Sequence, residues 1–257
     1  MVGSARRMAL LLGLFFVVAL PGVASATNSW NGYHWARTAN PLTLKLGNNL
    51  SFAWQSYLSQ TSSDWSQSSV LDTTVVPGQA VKRLCSATAG RDEICNGKYG
   101  QNGWLGVASI WATGSHITQG TVKVNDTYFN MAQYNTPDWR EMVMCQEVGH
   151  TFGLDHQDTD FNNTNLGTCM DYTNDPARDD GFGNNEHPNQ HDYDELAIIY
   201  THLDSTNSAS QPVSSGAAGE SRNDWGREVA RLNGGHTSVF VRDLGAGQQI
   251  VTYVIWA

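Results

Sequence analysis

Apolar residues that alternate with polar ones, or that form short runs bounded by turn residues, predict β-strands along much of the chain. Such runs lie at residues 41–46, 69–76, 105–111, 121–129, 238–244 and 249–256. The run at 121–129 places Val122 and Val124 on one face, and we expect it at an exposed edge of a sheet. Residues 55–69 are rich in Ser and Gln and predict no clear element. The last two runs are separated by Gly-Ala-Gly, which is typical of a hairpin.

Helical periodicity is present in two segments. Thr136 can cap the first helix and Pro137 fits its first position, after which apolar residues recur through Val148. Gly153 is expected to stop this helix, because glycine adopts at little cost the left-handed conformation that follows many helices. A second helix is predicted at residues 191–202, where apolar side chains recur at helical spacing.

The first 26 residues have the three-part pattern of a secretory signal peptide. Two arginines precede an uncharged apolar run at residues 8–20, and Ala-Ser-Ala at 24–26 supplies a cleavage site. The apolar run is shorter than the roughly 20 residues that span a bilayer. We therefore predict a signal peptide at residues 1–26 and a secreted, extracellular protein without a membrane segment.

Composition divides the remaining chain into three parts. Residues 205–221 are rich in Ser, Ala and Gly and are predicted to be a linker. They separate a main domain at residues 27–204 from a small β unit at residues 222–257. Because a lone two-stranded hairpin is not stable in water, we expect this C-terminal unit to pack on the main domain.

The charge of the chain limits the classes of partner. Among 257 residues there are 15 Lys and Arg against 24 Asp and Glu, which gives a net charge of −9. This balance excludes the basic surface expected of a general nucleic-acid binder or of a protein that binds anionic membranes. Nine tryptophans argue against a disordered chain. The expected class is a folded, soluble protein with an acidic surface.

Most of the negative charge lies at residues 155–195, which hold 11 acidic residues and one basic residue, Arg178. Asparagines in the same segment add oxygen donors, so calcium binding is one interpretation. No EF-hand spacing is present, and a solvated acidic loop is the interpretation that we favour. In either case the local field should favour cations over acidic substrates.

Four cysteines, an even number, predict two disulfides in an exported chain. Four cysteines allow three pairings. The short loop favours Cys85–Cys95, which leaves Cys145–Cys169. Other bridges or free thiols are the alternatives, and a Cys-ligated metal is disfavoured because the chain lacks CxxC spacing.

One run of residues, which begins at Gln146, carries the chemistry. On a helix, Gln146 and His150 lie four residues apart and share a face, with Glu147 beside them. Gly153 can turn the chain so that His156 returns to the same point. A catalytic metal needs several protein ligands that converge while one position stays open for water, and this spacing supplies them. Without a metal, both histidines would be ordinary core or surface residues.

This run resembles the signature of the metzincin clan of zinc metallopeptidases, His-Glu-x-x-His-x-x-Gly-x-x-His followed by a methionine-containing turn. The match covers Glu147, His150, Gly153 and His156. The turn, here named the Met-turn, is Cys-Met-Asp-Tyr at residues 169–172.

The resemblance spans about residues 137–204 and implies an α+β fold. Such a domain has a twisted mixed sheet, an active-site helix and the Met-turn, and the C-terminal β unit lies outside the family pattern. The resemblance also implies that Met170 lies beneath the metal and that Tyr172 contacts the metal or the reaction intermediate. The Cys145–Cys169 disulfide would then join the metal helix to the Met-turn. Core packing for Met170 and a structural role for Tyr172 are the alternatives.

The sequence departs from the family pattern at Gln146, which stands where the family has its first His. An amide oxygen is a neutral but weaker ligand than imidazole, so zinc affinity should be lower. Gln146 would then ligate the metal together with His150 and His156. Otherwise Asp158, Tyr172 or a second water completes the set, although Asp158 could equally cap a turn or orient a ligand.

The function implied by the resemblance is zinc-dependent endopeptidase activity. Glu147 would activate a metal-bound water to hydrolyse peptide bonds, and Tyr172 would hydrogen-bond the developing oxyanion. By analogy, a strand such as 121–129 would pair with an extended substrate. The expected partners are protein or peptide substrates, without nucleic acid or membrane, and we expect a monomer. The departure at Gln146 motivates the alternative, a catalytically weakened pseudoenzyme that serves as a secreted binding module.

Overall fold

The computed structural model describes residues 28–211 and 222–257. The predicted signal peptide and most of the predicted linker lie outside these residues. The strands of the described chain are β1 His34–Trp35, β2 Leu42–Asn49, β3 Leu71–Pro77, β4 Arg91–Gly97, β5 Trp104–Thr113, β6 His116–Asn125, β7 Arg227–Leu232, β8 Thr237–Gly245 and β9 Gln248–Trp256. The α-helices are α1 Phe52–Trp65, α2 Asp126–Phe129, α3 Pro137–His150 and α4 Gln190–Ile199. Within the described ranges, no helix is long and apolar enough to cross a membrane.

The strands form one mixed sheet, in which they follow the order β3-β2-β4-β6-β5-β9-β8-β7 and β1 pairs with β6. The pairs from β3 to β6 are parallel, whereas β5, β9, β8 and β7 pair in antiparallel fashion. β9 pairs with β5 from Trp104 opposite Trp256 to Thr113 opposite Gln248. The strands that the sequence assigns to a small C-terminal unit are thus joined edge to edge with the rest of the sheet. This mixed sheet with few helices confirms the predicted α+β class.

The position of β6 differs from the sequence-based expectation. The prediction of an exposed edge strand at residues 121–129 is wrong, because β6 lies between β4 and β5 and the residues after it form α2. Val122 and Val124 are buried on one face of the strand, and Lys123 is buried on the other. Since both edges of β6 are paired, this strand cannot bind an extended substrate by main-chain pairing.

Among the described residues, the sequence pattern misses five α-helices and strands, namely β1, α1, β4, α2 and β7, of which α1 and β4 are the longest. In α1, Trp54, Leu58 and Trp65 are fully buried, but Ser and Gln occupy many of the positions between them. Their spacings of four and seven residues place the three side chains on one helix face. β4 carries Asp92 and Glu93 in an interior strand, and these charged residues hide it from a search for apolar runs.

Two buried tryptophans fix the end of α3 against the rest of the core. The indole N–H of Trp65 donates to the carbonyl oxygen of Cys145 at 3.2 Å, and the indole N–H of Trp35 donates to that of Thr151 at 3.0 Å. α3 also packs against α1 on one side and against β5 and β6 on another. Because buried carbonyl groups need donors, these bonds hold the last turns of α3 in one position relative to the sheet.

Two disulfides, Cys85–Cys95 and Cys145–Cys169, brace the fold, and this is the pairing that the sequence favours. The first ties β4 to the residue that follows a short 3₁₀ turn at Lys82–Leu84. The second ties α3 to the Met-turn. All four cysteines are buried. Disulfides of this kind persist in oxidising compartments.

Asp92 in β4 is a buried carboxyl that should make stability depend on pH. Thr151 donates a hydrogen bond to its Oδ2 at 2.7 Å, but its Oδ1 has no partner. Burial raises the pKa of Asp92 to about 8 against the lowering effect of the Thr151 hydrogen bond. From about pH 4 to about pH 8, the folded chain holds a proton that the unfolded chain has released. Stability should therefore fall as pH rises through this window.

Replacement of Asp92 by Asn should remove this contribution, which is about 1.4 kcal/mol per pH unit for one proton. The variant should be more stable than the wild type near pH 8 and should lose that advantage toward pH 4. Urea unfolding at both ends of the window measures the difference. If the free energies of unfolding of the two proteins changed with pH in parallel, the folded chain would not retain the proton on Asp92.

Candidate metal centre

The two ends of α3 fix where the candidate ligands lie. The side-chain oxygen of Thr136 accepts a backbone hydrogen bond from the first turn, which Pro137 opens. The helix ends at His150, and Gly153 follows with a φ of +100°. A Cβ at this glycine would overlap the carbonyl oxygen of Tyr33, so a larger residue would force the backbone apart. Gly153 thereby allows the chain to turn back beside the helix.

His150 and His156 face each other in the interior, with their Nε2 atoms 3.1 Å apart. Nδ1 of His150 lies 2.9 Å from the carbonyl oxygen of Leu154, which can only accept, so Nδ1 carries the proton and Nε2 a lone pair. Burial, and then the neighbouring His156, lowers the pKa of His150 to about 3, so its ring is neutral. Two nitrogens bound to one tetrahedral zinc ion lie about 3.3 Å apart. The separation of this pair fits two ligands of one ion.

Gln146 lies one helical turn before His150, on the same face of α3, and is fully buried. Its Nε2 donates to the carbonyl oxygen of Cys169 at 2.7 Å, and this bond fixes the amide orientation because a carbonyl cannot donate. Its Oε1 is buried and has no hydrogen-bond partner. A buried acceptor without a donor is costly, and a bound cation would satisfy it. One amide oxygen and two imidazole nitrogens therefore form a donor set that fits zinc.

Glu147 is fully buried beside these ligands, and neither of its carboxyl oxygens has a hydrogen-bond partner. It packs against β5 at Gly106, where a Cβ would overlap Oε1 of Glu147. Burial raises the pKa of Glu147 well above its usual value. A carboxyl group with a raised pKa is suited to accept a proton and to return it.

The Met-turn contacts both the helix and the ligands. The Sδ atom of Met170 lies next to Gly149 of α3, where a Cβ would come within 2.7 Å of it. The ring of Tyr172 lies 4.3 Å from that of His156, and its hydroxyl is buried without a hydrogen-bond partner. Burial, with the charge of Glu147 next in size, raises the pKa of Tyr172 well above its usual value. The hydroxyl therefore stays protonated and can donate.

Asp158 serves a loop rather than the candidate ligands. Its side chain accepts from the N–H of Asp160 at 2.7 Å and from the side-chain amide of Asn163 at 2.6 Å. Its carbonyl oxygen accepts from the N–H of Tyr172 at 3.2 Å. Of the roles that the sequence allows, this geometry matches a turn cap that also holds the Met-turn through the backbone.

The acidic segment at residues 155–195 uses its carboxylates for hydrogen bonds within the loop. Asp179 accepts from the N–H groups of Gly181 and Gly183, and Asp180 accepts from that of Asn165. In the described part of the chain, no group of side chains close enough to hold a metal draws three carboxylates from this segment. The calcium interpretation is therefore not supported.

Tyr253 of β9 makes a contact that the sequence pattern does not reveal. Its ring stacks on that of His150, with a centroid separation of 4.2 Å and an interplanar angle of 5°. Tyr253 also donates a hydrogen bond to Asp155. Burial raises the pKa of Asp155, but the hydrogen bonds from His156 and Tyr253 outweigh this effect and bring the pKa down to about 2. In the sequence, position 253 is one apolar residue of an alternating strand. Only the pairing of β9 with β5 brings it over the histidines.

The candidate centre is closed to solvent. Gln146, Glu147 and His150 are 0 % exposed, and Tyr172 and His156 are 1 % and 5 % exposed. A cavity of about 330 Å³ adjoins the Met-turn and is lined by parts of β5, α3 and β9, including the last residues of the chain. A polypeptide can reach the buried carboxyl only if the residues that cover it move.

No protein-family model matches the chain, and no curated protein does. Among solved structures, partial likeness is found with high choriolytic enzyme 1, a hatching enzyme zinc-protease from the medaka fish Oryzias latipes. The identity is 10 %, the match covers 65 % of this chain and 94 % of that chain, and the TM-score is 0.35. Two structures of myroilysin match at 13 % identity with TM-scores of 0.39 and 0.35, over 68 % and 74 % of this chain and 98 % and 100 % of theirs. At such identities and TM-scores these likenesses carry no argument about what this chain does.

Proposed function

We propose that the chain is a zinc-dependent endopeptidase whose metal is held by Gln146, His150 and His156. The observation that supports this most is the 3.1 Å separation of two buried Nε2 atoms, one of which carries a lone pair. The Oε1 atom of Gln146 and both carboxyl oxygens of Glu147 are buried in the same region without hydrogen-bond partners. Folded cores rarely keep so many unpaired polar atoms together unless a function needs them.

Each residue of the centre has one role in peptide hydrolysis. When bound, zinc supplies Lewis acidity toward the scissile carbonyl and lowers the pKa of water. Glu147 takes the proton of the attacking water and passes it to the leaving amine. The protonated hydroxyl of Tyr172 donates a hydrogen bond to the carbonyl oxygen as negative charge develops there. Met170 packs under the helix and keeps the ligand face in position.

We also infer that the protein acts outside the cell. The pattern at residues 1–26 is that of a signal peptide, and the two disulfides fit an oxidising compartment. Protein or peptide substrates would be met there. Detection of the chain in the culture medium of an expressing cell, shortened by the signal peptide, tests this inference.

The test of the activity measures hydrolysis of an unfolded protein by the purified chain, with and without a chelator. We expect hydrolysis that the chelator stops and that added zinc restores. The variant His156→Ala should lose hydrolysis, because it removes one ligand, whereas Gln157→Ala in the same loop should retain it. Near-UV circular dichroism verifies that both variants are folded. Hydrolysis that persists in His156→Ala or in excess chelator would refute the proposal.

The closure of the site favours a second candidate, a metal-weakened pseudoenzyme that serves as a secreted binding module. Glu147 is fully buried, and Tyr253 is stacked on His150, so a polypeptide has no open path to the carboxyl. The variant Gln146→His separates the two candidates. A wild type that neither holds zinc at this centre nor hydrolyses protein, beside a His variant that gains zinc, would favour the binding module. A wild type that already holds zinc and hydrolyses protein would favour the peptidase.

A further inference from the structure

A second cluster of metal-ligating side chains lies outside the candidate centre. The Nε2 atoms of His34, His116 and His202 lie 3.6, 3.1 and 3.3 Å from one oxygen, Oδ1 of Asp204. The ligating atoms of His34, His202 and Asp204 all lie within 4.8 Å of one another. The four residues come from β1, the start of β6 and the segment after α4, and none of them belongs to the candidate peptidase centre.

The hydrogen bonding of His34 leaves a lone pair directed into this cluster. Its Nδ1 lies 2.8 Å from the carbonyl oxygen of Gly32, so Nδ1 carries the proton of the neutral ring. Its Nε2 is buried without a hydrogen-bond partner, and the residue is only 3 % exposed. The lone pair of Nε2 therefore faces the Asp204 carboxylate, and the two acceptors repel each other. Either a second proton or a cation between them would remove this repulsion.

The backbone holds Asp204 in the orientation that a ligand needs. Its Oδ2 accepts from the N–H of Arg37 at 3.0 Å, and its own N–H donates to the Arg37 carbonyl oxygen at 2.7 Å. The guanidinium of Arg37 also donates to the carbonyl oxygen of His202 at 2.8 Å. These backbone and side-chain contacts with Arg37 fix the carboxylate, and its Oδ1 is presented to the histidines.

We propose that His34, His202 and Asp204 bind a divalent transition-metal ion of the zinc class. Imidazole and carboxylate are ligands that zinc takes, and two ligand atoms on one tetrahedral zinc lie about 3.3 Å apart. The observed Nε2–Oδ1 distances of 3.3 Å for His202 and 3.6 Å for His34 are close to that separation. The side chain of His202 is 54 % exposed, which gives an ion access from solvent and leaves a position for water. The bound ion would tie β1 to the segment that follows α4.

His116 has a different place in this site. Its Nε2 lies at hydrogen-bond distance from Oδ1 of Asp204, so it can donate to the ligating oxygen and orient it. The pairing of β1 with β6 sets His116 directly opposite His34. We therefore assign His116 as a positioning residue. Its loss should weaken metal affinity by about 10- to 100-fold without removing the site.

The test is zinc binding by the purified full chain, measured in competition with a chromophoric chelator and repeated with Co²⁺ for its absorption spectrum. His202→Ala and Asp204→Asn should each lose one equivalent of metal, whereas His116→Ala should keep it with the weaker affinity given above. Because the side chain of His202 is half-exposed, His202→Ala should fold, and it tests the site even if Asp204→Asn does not fold. The control is His191→Ala, since in the described part of the chain His191 belongs to no group of side chains close enough to hold a metal. It should lose no equivalent.

Two outcomes would overturn the proposal. The first is a wild type and a His202→Ala variant that bind the same amount of zinc, which would mean that the cluster holds protons only. The second is an equal loss in His191→Ala, which would mean that the loss of any histidine has the same effect. The peptidase proposal, which the inference about this cluster does not need, is tested separately. His156→Ala removes the zinc of the candidate peptidase centre and leaves this cluster intact. A chain that loses metal in His202→Ala but hydrolyses no protein supports this site alone.

Discussion

Replacement of Glu147 by Gln is expected to reduce the hydrolysis of an unfolded protein by about 10²- to 10⁴-fold while zinc binding is retained. Gln has nearly the shape of Glu but cannot accept a proton. Because burial raises the pKa of Glu147 and neither oxygen has a hydrogen-bond partner, the neutral amide replaces the side chain without the loss of a hydrogen bond. Initial rates of the wild type and the variant, compared at equal zinc content, give the ratio.

Glu141→Gln is the matched control for this experiment. Glu141 is a buried acid on the same helix, six residues before Glu147, and burial raises its pKa to about 8. Its Oε1 accepts from Thr61 at 3.4 Å, away from the candidate ligands. The control should therefore hydrolyse protein at the wild-type rate. If Glu147→Gln also kept that rate, Glu147 would not be the base.

Removal of the Cys145–Cys169 disulfide by double substitution with Ala is expected to lower the free energy of unfolding by about 3 kcal/mol and to weaken zinc binding at the candidate centre. The stability loss follows from the loop that the disulfide closes, with a sequence separation of 24. The affinity loss follows from the carbonyl oxygen of Cys169, which orients the amide of Gln146 at 2.7 Å. Once the Met-turn is no longer tied to α3, the amide oxygen is no longer fixed. Urea unfolding and zinc competition measure the two effects.

The double substitution of Cys85 and Cys95 by Ala separates global from local consequences. This disulfide has a sequence separation of 10, so its removal should cost a similar free energy of unfolding. It lies away from Gln146 and should leave the zinc affinity of the candidate centre unchanged. The two double substitutions are best compared in a chain that also carries His202→Ala, so that zinc does not bind at the His34–His202–Asp204 cluster and the measured affinity is that of the candidate centre. An equal fall in zinc affinity for the two pairs would show that loss of stability alone accounts for the effect.

Local signals in the sequence were sufficient to locate α3 and the residues at its end. Thr136 and Pro137 mark the start of the helix, and Gly153 marks the turn after it, as the structure has them. The close approach of the Tyr33 carbonyl oxygen, which a Cβ at position 153 would overlap, is itself not visible in the sequence. The sequence signal exists because the positive φ of this turn is a conformation that glycine adopts cheaply.

The contacts that the sequence could not predict are those set by the pairing of distant strands. β9 is recognisable as a strand, but nothing in its alternation states that it lies beside β5 or that Tyr253 covers His150. The same holds for His34 and Asp204, which belong to no motif and meet only because β1 pairs with β6 and Arg37 holds the segment after α4. The choice of partner strand depends on hydrogen bonds between segments far apart in the chain, and the alternation within one strand does not encode it.

The pairing of β9 with β5 also sets an order of events during synthesis. β9 is the last strand that the structure describes, yet it lies in the interior of the sheet, between β5 and β8. Until Trp256 has been added and β9 has docked, β5 presents an unpaired, mostly apolar edge. Such edges pair with other chains, and domains that depend on long-range strand pairing are exposed to aggregation while they wait. The growing polypeptide therefore carries this risk of self-association until β9 has been synthesised and has docked beside β5.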